Sequence, residues 1–143
     1  MAFKHGIEDW DLLAQVCQAY RTLSDRLIEE IAMHRGQATL LCRLFEQDGV
    51  SQSEIANQLG IQGATVTNML QRMEEAGLVT RERDPVDNRL VRVYLTQTGS
   101  EKERAINEQF LKVEATIYTG FSSEERAILR MLLRRILQNM NSA

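Results

Sequence analysis

Positions 64 to 72 carry a set of side chains suited to reading hydrogen-bonding edges. Ala64, Thr65, Thr67, Asn68, Gln71 and Arg72 fall on one side of a predicted helix. They are small, hydroxyl, amide and guanidinium groups, where an ordinary solvated face carries more Glu and Lys. Asparagine can bond adenine through two hydrogen bonds, arginine can do the same with guanine, and threonine suits a phosphate or a thymine methyl. A second set follows at once: Arg81, Arg83, Arg89 and Arg92 place cations on a short stretch, interleaved with Glu82, Asp84 and Asp87. Arginines far outnumber lysines, which favours two-pronged contacts over diffuse charge.

These groups need elements to hold them. Val66, Met69, Leu70 and Met73 recur at helical spacing and predict an amphipathic helix over 62–76. Ahead of it, Ser51-Gln52-Ser53-Glu54 has the form of a capping box, in which the Ser51 hydroxyl and the Glu54 carboxylate each accept a backbone N–H. Ile55, Ala56 and Leu59 give that first helix an apolar face. Gly60 then supplies the positive φ that a helix C-terminus requires, and Ile61 plugs the turn. Beyond Gly77, residues 78–83 and 90–95 alternate as strands do, and the polar stretch 84–89 between them holds the chain's only proline. Two short helices, a tight turn and a hairpin outline a winged helix-turn-helix.

The run Gly77-Leu78-Val79, Arg81, Asp84-Pro85, Asp87, Arg89, continuing to Val93, Leu95-Thr96 and Gly99, resembles the wing signature of MarR-type transcriptional regulators. The resemblance extends over the whole chain in length and element order. It implies a dimeric winged-helix repressor or activator of double-stranded DNA, with the second helix in the major groove. It also implies that Arg89, held by Asp87, enters the minor groove, whose narrow form attracts arginine. Two positions depart from the pattern. Asn88 stands where a second arginine is frequent. Gln62, followed by Gly63, stands where the helix N-cap is frequently serine, and both are poor caps. The helix end should therefore stay loose until a phosphate meets its unbonded N–H groups.

With 143 residues and 43% apolar content, the chain can build one core or one intertwined unit. Its net charge of −3 lacks the bulk basicity of many nucleic-acid binders, so the reading rests on where the cations sit, not on their sum. Cys17 and Cys42 have neither metal spacing nor a disulfide pattern, which fits a reduced cytoplasmic setting. Cys17 is expected to be a core cysteine. The alternative is a redox sensor, as in relatives that sense peroxide with a cysteine on the first helix. Cys42 is expected to be filler. His5 and His34 have no ligand partners at suitable spacing, and His34 is expected in a solvated linker. The start of the chain is polar, so neither a leader nor a membrane span is expected. No Gly-rich phosphate loop, nucleophile with a base or carboxylate pair points to an enzyme, and no cofactor is expected.

The flanking segments look like partners for another chain. Residues 1–7 are expected to form a frayed arm. Leu13, Val16, Tyr20, Leu23, Leu27 and Ile31 predict a long helix over 8–33, and Leu40, Leu41, Leu44 and Phe45 predict another over 37–46. After the wing, Thr96 or Thr98 is expected to cap the next helix, and Thr98-Gly99-Ser100-Glu101 and Ser122-Ser123-Glu124-Glu125 have the form of capping boxes opening two more helices. The last of these carries Ile128, Leu129, Leu132, Leu133, Ile136, Leu137 and Met140 over more than one face, with Arg126, Arg130 and Arg134 expected to be solvated. A helix this apolar at a chain end predicts a two-fold partner. The expected fold is mainly α with a small β-hairpin wing: a dimerisation helix in 1–35, a DNA-binding lobe in 36–98 and dimerisation helices in 99–143. The resemblance further implies a near-palindromic operator and a small aromatic or phenolic effector, placed at the junction of dimer helices and DNA lobe. A winged-helix protein-interaction module without DNA is the reading from another class.

Overall fold

The computed structural model describes residues 8–143, so the arm expected over residues 1–7, with Lys4 and His5, lies outside the described residues. Helix α1 (Glu8–Glu29) opens with Glu8, Asp9 and Asp11, as the helix dipole prefers. It ends four residues earlier than the apolar stripe predicts. The backbone turns at Ala32, whose φ of 57° is left-handed, and this lets Met33 bury its side chain. Helix α2 (Arg35–Glu46) starts two residues earlier than predicted, with the Gln37 side chain accepting from the backbone N–H of His34 at 3.2 Å.

The lobe follows as expected. Helix α3 (Gln52–Leu59) is capped by Ser51, whose Oγ accepts from the Glu54 N–H at 3.2 Å, and it ends at Gly60 with φ 64°. Only the Ser51 half of the predicted box is made. Helix α4 (Gly63–Glu75) starts from Gln62, whose side chain makes no capping bond. Strands β1 (Val79–Arg83) and β2 (Val91–Leu95) pair antiparallel, with Val79 opposite Leu95 and Arg83 opposite Val91. Ser51 adds an isolated bridge to Arg92, tying the hairpin to the start of α3.

One apolar core joins these pieces. Ile28, Leu40, Leu41, Leu44, Ile55, Val66, Leu70, Met73, Val79, Val93 and Ile106 are fully or almost fully buried. Burying each large side chain contributes roughly 1.5–3 kcal/mol. Met69, predicted inside, is half-buried at the edge of this core beside Gly36.

After the wing, Thr96 is the one of the two candidate caps that is used: its Oγ1 accepts from the Gly99 N–H at 3.0 Å and donates to the Gly77 carbonyl at 2.5 Å. A short helix α5 (Gln97–Ser100) results, and the next helix, α6 (Glu103–Ile117), starts after a break. The Thr98 box is lost because Gly99 sits against Leu78, the residue before β1. A Cβ there would lie 2.1 Å from the Leu78 carbonyl oxygen. Helix α6 packs on α1, where the buried Gln109 amide donates to the Leu27 carbonyl and, at 3.0 Å, to Glu30. Helix α7 (Ser123–Asn141) forms both halves of its predicted box, Glu125 N–H to Ser122 Oγ at 3.1 Å and Ser122 N–H to Glu125 at 2.9 Å. None of its residues is buried within the single chain. Among the described residues no helix is long and apolar enough to cross a membrane.

Candidate nucleic-acid interface

Helix α4 splits into two faces. Val66, Leu70 and Met73 are buried; Ala64, Thr65, Thr67, Asn68, Gln71 and Arg72 are exposed. Among the described residues, the side chains of Thr65, Asn68, Gln71 and Arg72 make no hydrogen bond or ion pair within the chain. Thr67 differs. Its hydroxyl donates to the Gly63 carbonyl at 2.9 Å and accepts from the Gln52 amide at 2.5 Å. The uncapped Gln62 leaves the first N–H groups of α4 for another acceptor, the role a phosphate fills at a helix N-terminus. Beside this face lies a cleft of about 380 Å³ lined by His34, Gln37, Thr65, Asn68, Met69 and Arg72. His34 is thus exposed, as expected of a linker, but also borders helix α4.

The wing is organised by Asp84. Its carboxylate accepts from the Val86 N–H at 2.7 Å, the Asp87 N–H at 2.9 Å and the Arg92 guanidinium at 2.5 Å. These bonds, first that from the Asp87 N–H, lower its pKa from 3.8 to about 2. Arg92 also donates to the Gly49 carbonyl at 2.9 Å, so it is turned to the root of the hairpin. Its pKa is raised, chiefly by Asp84.

At the tip, Asp87 grips Arg89 by three bonds. Nε donates at 3.0 Å, Nη2 at 3.1 Å and the backbone N–H at 3.2 Å. The Arg89 guanidinium, then its N–H, lower the Asp87 pKa, and Asp87 raises that of Arg89. The Arg89 side chain is nonetheless 89% exposed. The carboxylate steers it without taking it out of water.

The other two arginines sit differently. Arg83 donates to the Asn88 carbonyl at 2.9 Å, bracing the tip. Arg81 pairs with Glu74 at 3.3 Å, and Glu74 also accepts the Arg81 N–H at 3.1 Å, joining the end of α4 to β1. This arrangement accounts for much of the lobe's acidity. Glu74, Asp84 and Asp87 hold arginines in place rather than face a partner. The role of Asp84 was open to sequence reasoning, since an aspartate before Pro-Val-Asp is suited to accept backbone N–H groups two and three residues on. The bonds from Gln52 to Thr67 and from Arg81 to Glu74 join residues 15 and 7 apart and carry no local signal.

The remaining candidates fall elsewhere. Cys17 is exposed on α1 rather than buried in a core; it borders an apolar groove with Val16, Tyr20, Leu23, Ile117 and Leu133 that stays open in the single chain. Cys42 is half-buried against the core, and burial pushes its thiol pKa up. Arg126 is not simply solvated: its guanidinium lies 4.2 Å from the Tyr118 ring centroid and pairs with Glu114, which fastens the start of α7 to α6.

A sequence profile described as the MarR family matches residues 33–91. The chain is 30% identical over 130 residues to the uncharacterized HTH-type transcriptional regulator YwoH of Bacillus subtilis (strain 168), covering 89% of this chain and 94% of that one. It is 28% identical over 135 residues to the uncharacterized HTH-type transcriptional regulator YdgJ of the same organism, covering 94% and 82%. Its fold matches the crystal structure of the S. aureus MepR–DNA complex with a TM-score of 0.82 at 26% identity, over 96% of this chain and 99% of that one. Identity at this level across nearly the full length of YwoH, on the lobe and wing described above, means that the chain belongs to the MarR family of transcriptional regulators.

Proposed function

We propose that the protein is a homodimeric, sequence-specific repressor that binds a near-palindromic operator and works by binding, not catalysis, in the cytoplasm where that DNA lies. The observation that carries this reading is Arg89, exposed at the wing tip and pre-aimed by Asp87. The exposed face of α4 enters the major groove, with Ala64, Thr65, Thr67, Asn68, Gln71 and Arg72 against the base edges and backbone. Arg89 enters the adjoining minor groove, and Arg83 contacts phosphate. Arg81 and Arg92 act mainly by holding the wing on the lobe. Dimerisation through α1, α6 and α7 sets two reading helices about 34 Å apart, one turn of B-DNA.

The test is titration of the intact protein against duplex DNA at several salt concentrations. Phosphate contacts release counterions, so affinity should fall steeply with salt. Arg89→Ala should weaken operator binding about tenfold or more, as loss of a groove contact does, with an unchanged melting temperature. Salt-independent binding to a protein partner, with no DNA affinity, is the outcome expected of an interaction module.

A small aromatic or phenolic effector would act where α1 meets the lobe. The cleft between His34 and Arg72 supports this, because a ligand seated there shares Thr65, Asn68 and Arg72 with the DNA. Release of bound operator by small aromatic acids, blocked by Met69→Trp, checks it. The exposure of Cys17 favours a second reading, a cysteine-based redox regulator of the same fold. Peroxide should then release DNA from the native protein and not from Cys17→Ser.

A further inference from the structure

We propose that Thr67 reads a thymine methyl group rather than a phosphate, and that Gln52 is the positioning residue that fixes it for this task. The inference rests on the DNA-binding reading above and assigns one contact within it. Threonine offers DNA either a hydroxyl donor or a methyl group. A hydroxyl has a single proton. Here that proton goes to the Gly63 carbonyl at 2.9 Å, and the Gln52 amide occupies the oxygen from the other side at 2.5 Å. No proton remains for a phosphate oxygen or for a base acceptor. What the exposed Thr67 still offers is its γ-methyl, besides one oxygen lone pair.

The two bonds also fix the direction of that methyl. Oγ1 and the methyl share one Cβ, so anchoring the oxygen at two points sets χ1 and places the methyl with it. The Gly63 bond alone is an ordinary back-bond within a helix. The Gln52 bond is different, because it comes from α3 and crosses the turn. It ties the first turn of α3 to the first turns of α4, the end that Gln62 leaves uncapped. The neighbouring Thr65, Asn68, Gln71 and Arg72, with no side-chain partner among the described residues, remain available for polar contacts.

The experiment uses the full-length protein and its selected operator, with each thymine replaced in turn by deoxyuracil. This removes the C5 methyl and leaves the hydrogen-bonding edge intact. One position per half-site should lose about fourfold in affinity, the worth of one buried methyl-sized group. Thr67→Ser keeps the hydroxyl and removes the methyl, so it should bind the thymine and deoxyuracil operators equally. Thr67→Val keeps a methyl on a side chain that is stiff in a helix, so it should retain the penalty and bind within about twofold of the native protein. Gln52→Met removes the donor and leaves no carboxylate to accept the Thr67 proton in its place, on a side chain of similar length and helix propensity. It should keep the melting temperature and shrink the deoxyuracil penalty to about half. Comparing two operators on one variant cancels any effect of the substitution on overall affinity. An undiminished penalty in Thr67→Ser, no penalty at any thymine in the native protein, or loss of binding in Thr67→Val would overturn the methyl assignment. An unchanged penalty in Gln52→Met would overturn the positioning role. Failure of the native protein to bind any duplex would instead overturn the DNA-binding reading itself.

Discussion

A guanidinium held at a hairpin tip by a carboxylate two residues away is oriented before DNA arrives, so less side-chain freedom is lost on binding. Asp87 does this for Arg89, and Asp84 does it for the turn that carries them both. Asp87→Ala should therefore weaken operator binding less than Arg89→Ala, by about threefold to tenfold, because the guanidinium remains but must be ordered on binding; anisotropy titration of both variants checks the order. Asp84 has a pH signature. Its folded pKa, about 2, lies below the ordinary 3.8, so its stabilising contribution is complete above that ordinary value and is lost as pH falls toward 2. Asp84→Asn should melt lower than the native protein at pH 7, with the gap closing as the pH falls; melting curves that stay parallel down to pH 2 would contradict this. The Asp87–Arg89 pair was legible from two residues in one motif. The turn of Arg92 toward Gly49 was not, because it joins residues 43 apart and depends on the hairpin folding back on the lobe.

Among elements, local signals succeeded where nothing else competed for the backbone. Ser51, Gly60 and the Ser122 box act as their sequence contexts predict. The Thr98 box failed because tertiary packing at Gly99 claimed the chain, and α1 stopped early because Met33 is needed in the core. Gly99→Ala should cost about 1–3 kcal/mol, the range for overpacking, read as a lower melting temperature. Helix α4, in contrast, starts at an uncapped Gln62. Gln62→Ser should add roughly 0.5–1 kcal/mol and raise the melting temperature by about 2–4 °C. If melting does not rise, the first turn of α4 is held by something other than its cap, and the Gln52–Thr67 bond is then the leading brace.

At the scale of the molecule, the chain leaves apolar surface that its own core does not use. Leu12, Val16 and Tyr20 on α1, and Ile128, Leu132, Leu133, Ile136, Leu137 and Met140 on α7, are exposed in the single chain. The helical stripes announced this surface in the sequence, and they also misplaced Cys17, since a stripe does not say whether it faces its own core or another chain. Leu133→Glu with Ile136→Glu should leave the lobe folded and yield a monomer by sedimentation. Losing the second half-site should then cost about a hundredfold or more in operator affinity. The central claim is that two such lobes read DNA as a symmetric pair, and selection of bound sequences from a random duplex pool at two salt concentrations tests it most directly. The account predicts a near-palindrome with half-sites about 10 base pairs apart, bound more weakly at the higher salt but with the same preferred bases. Recovery of no motif, or of binding that vanishes with salt and never discriminates sequence, would contradict it.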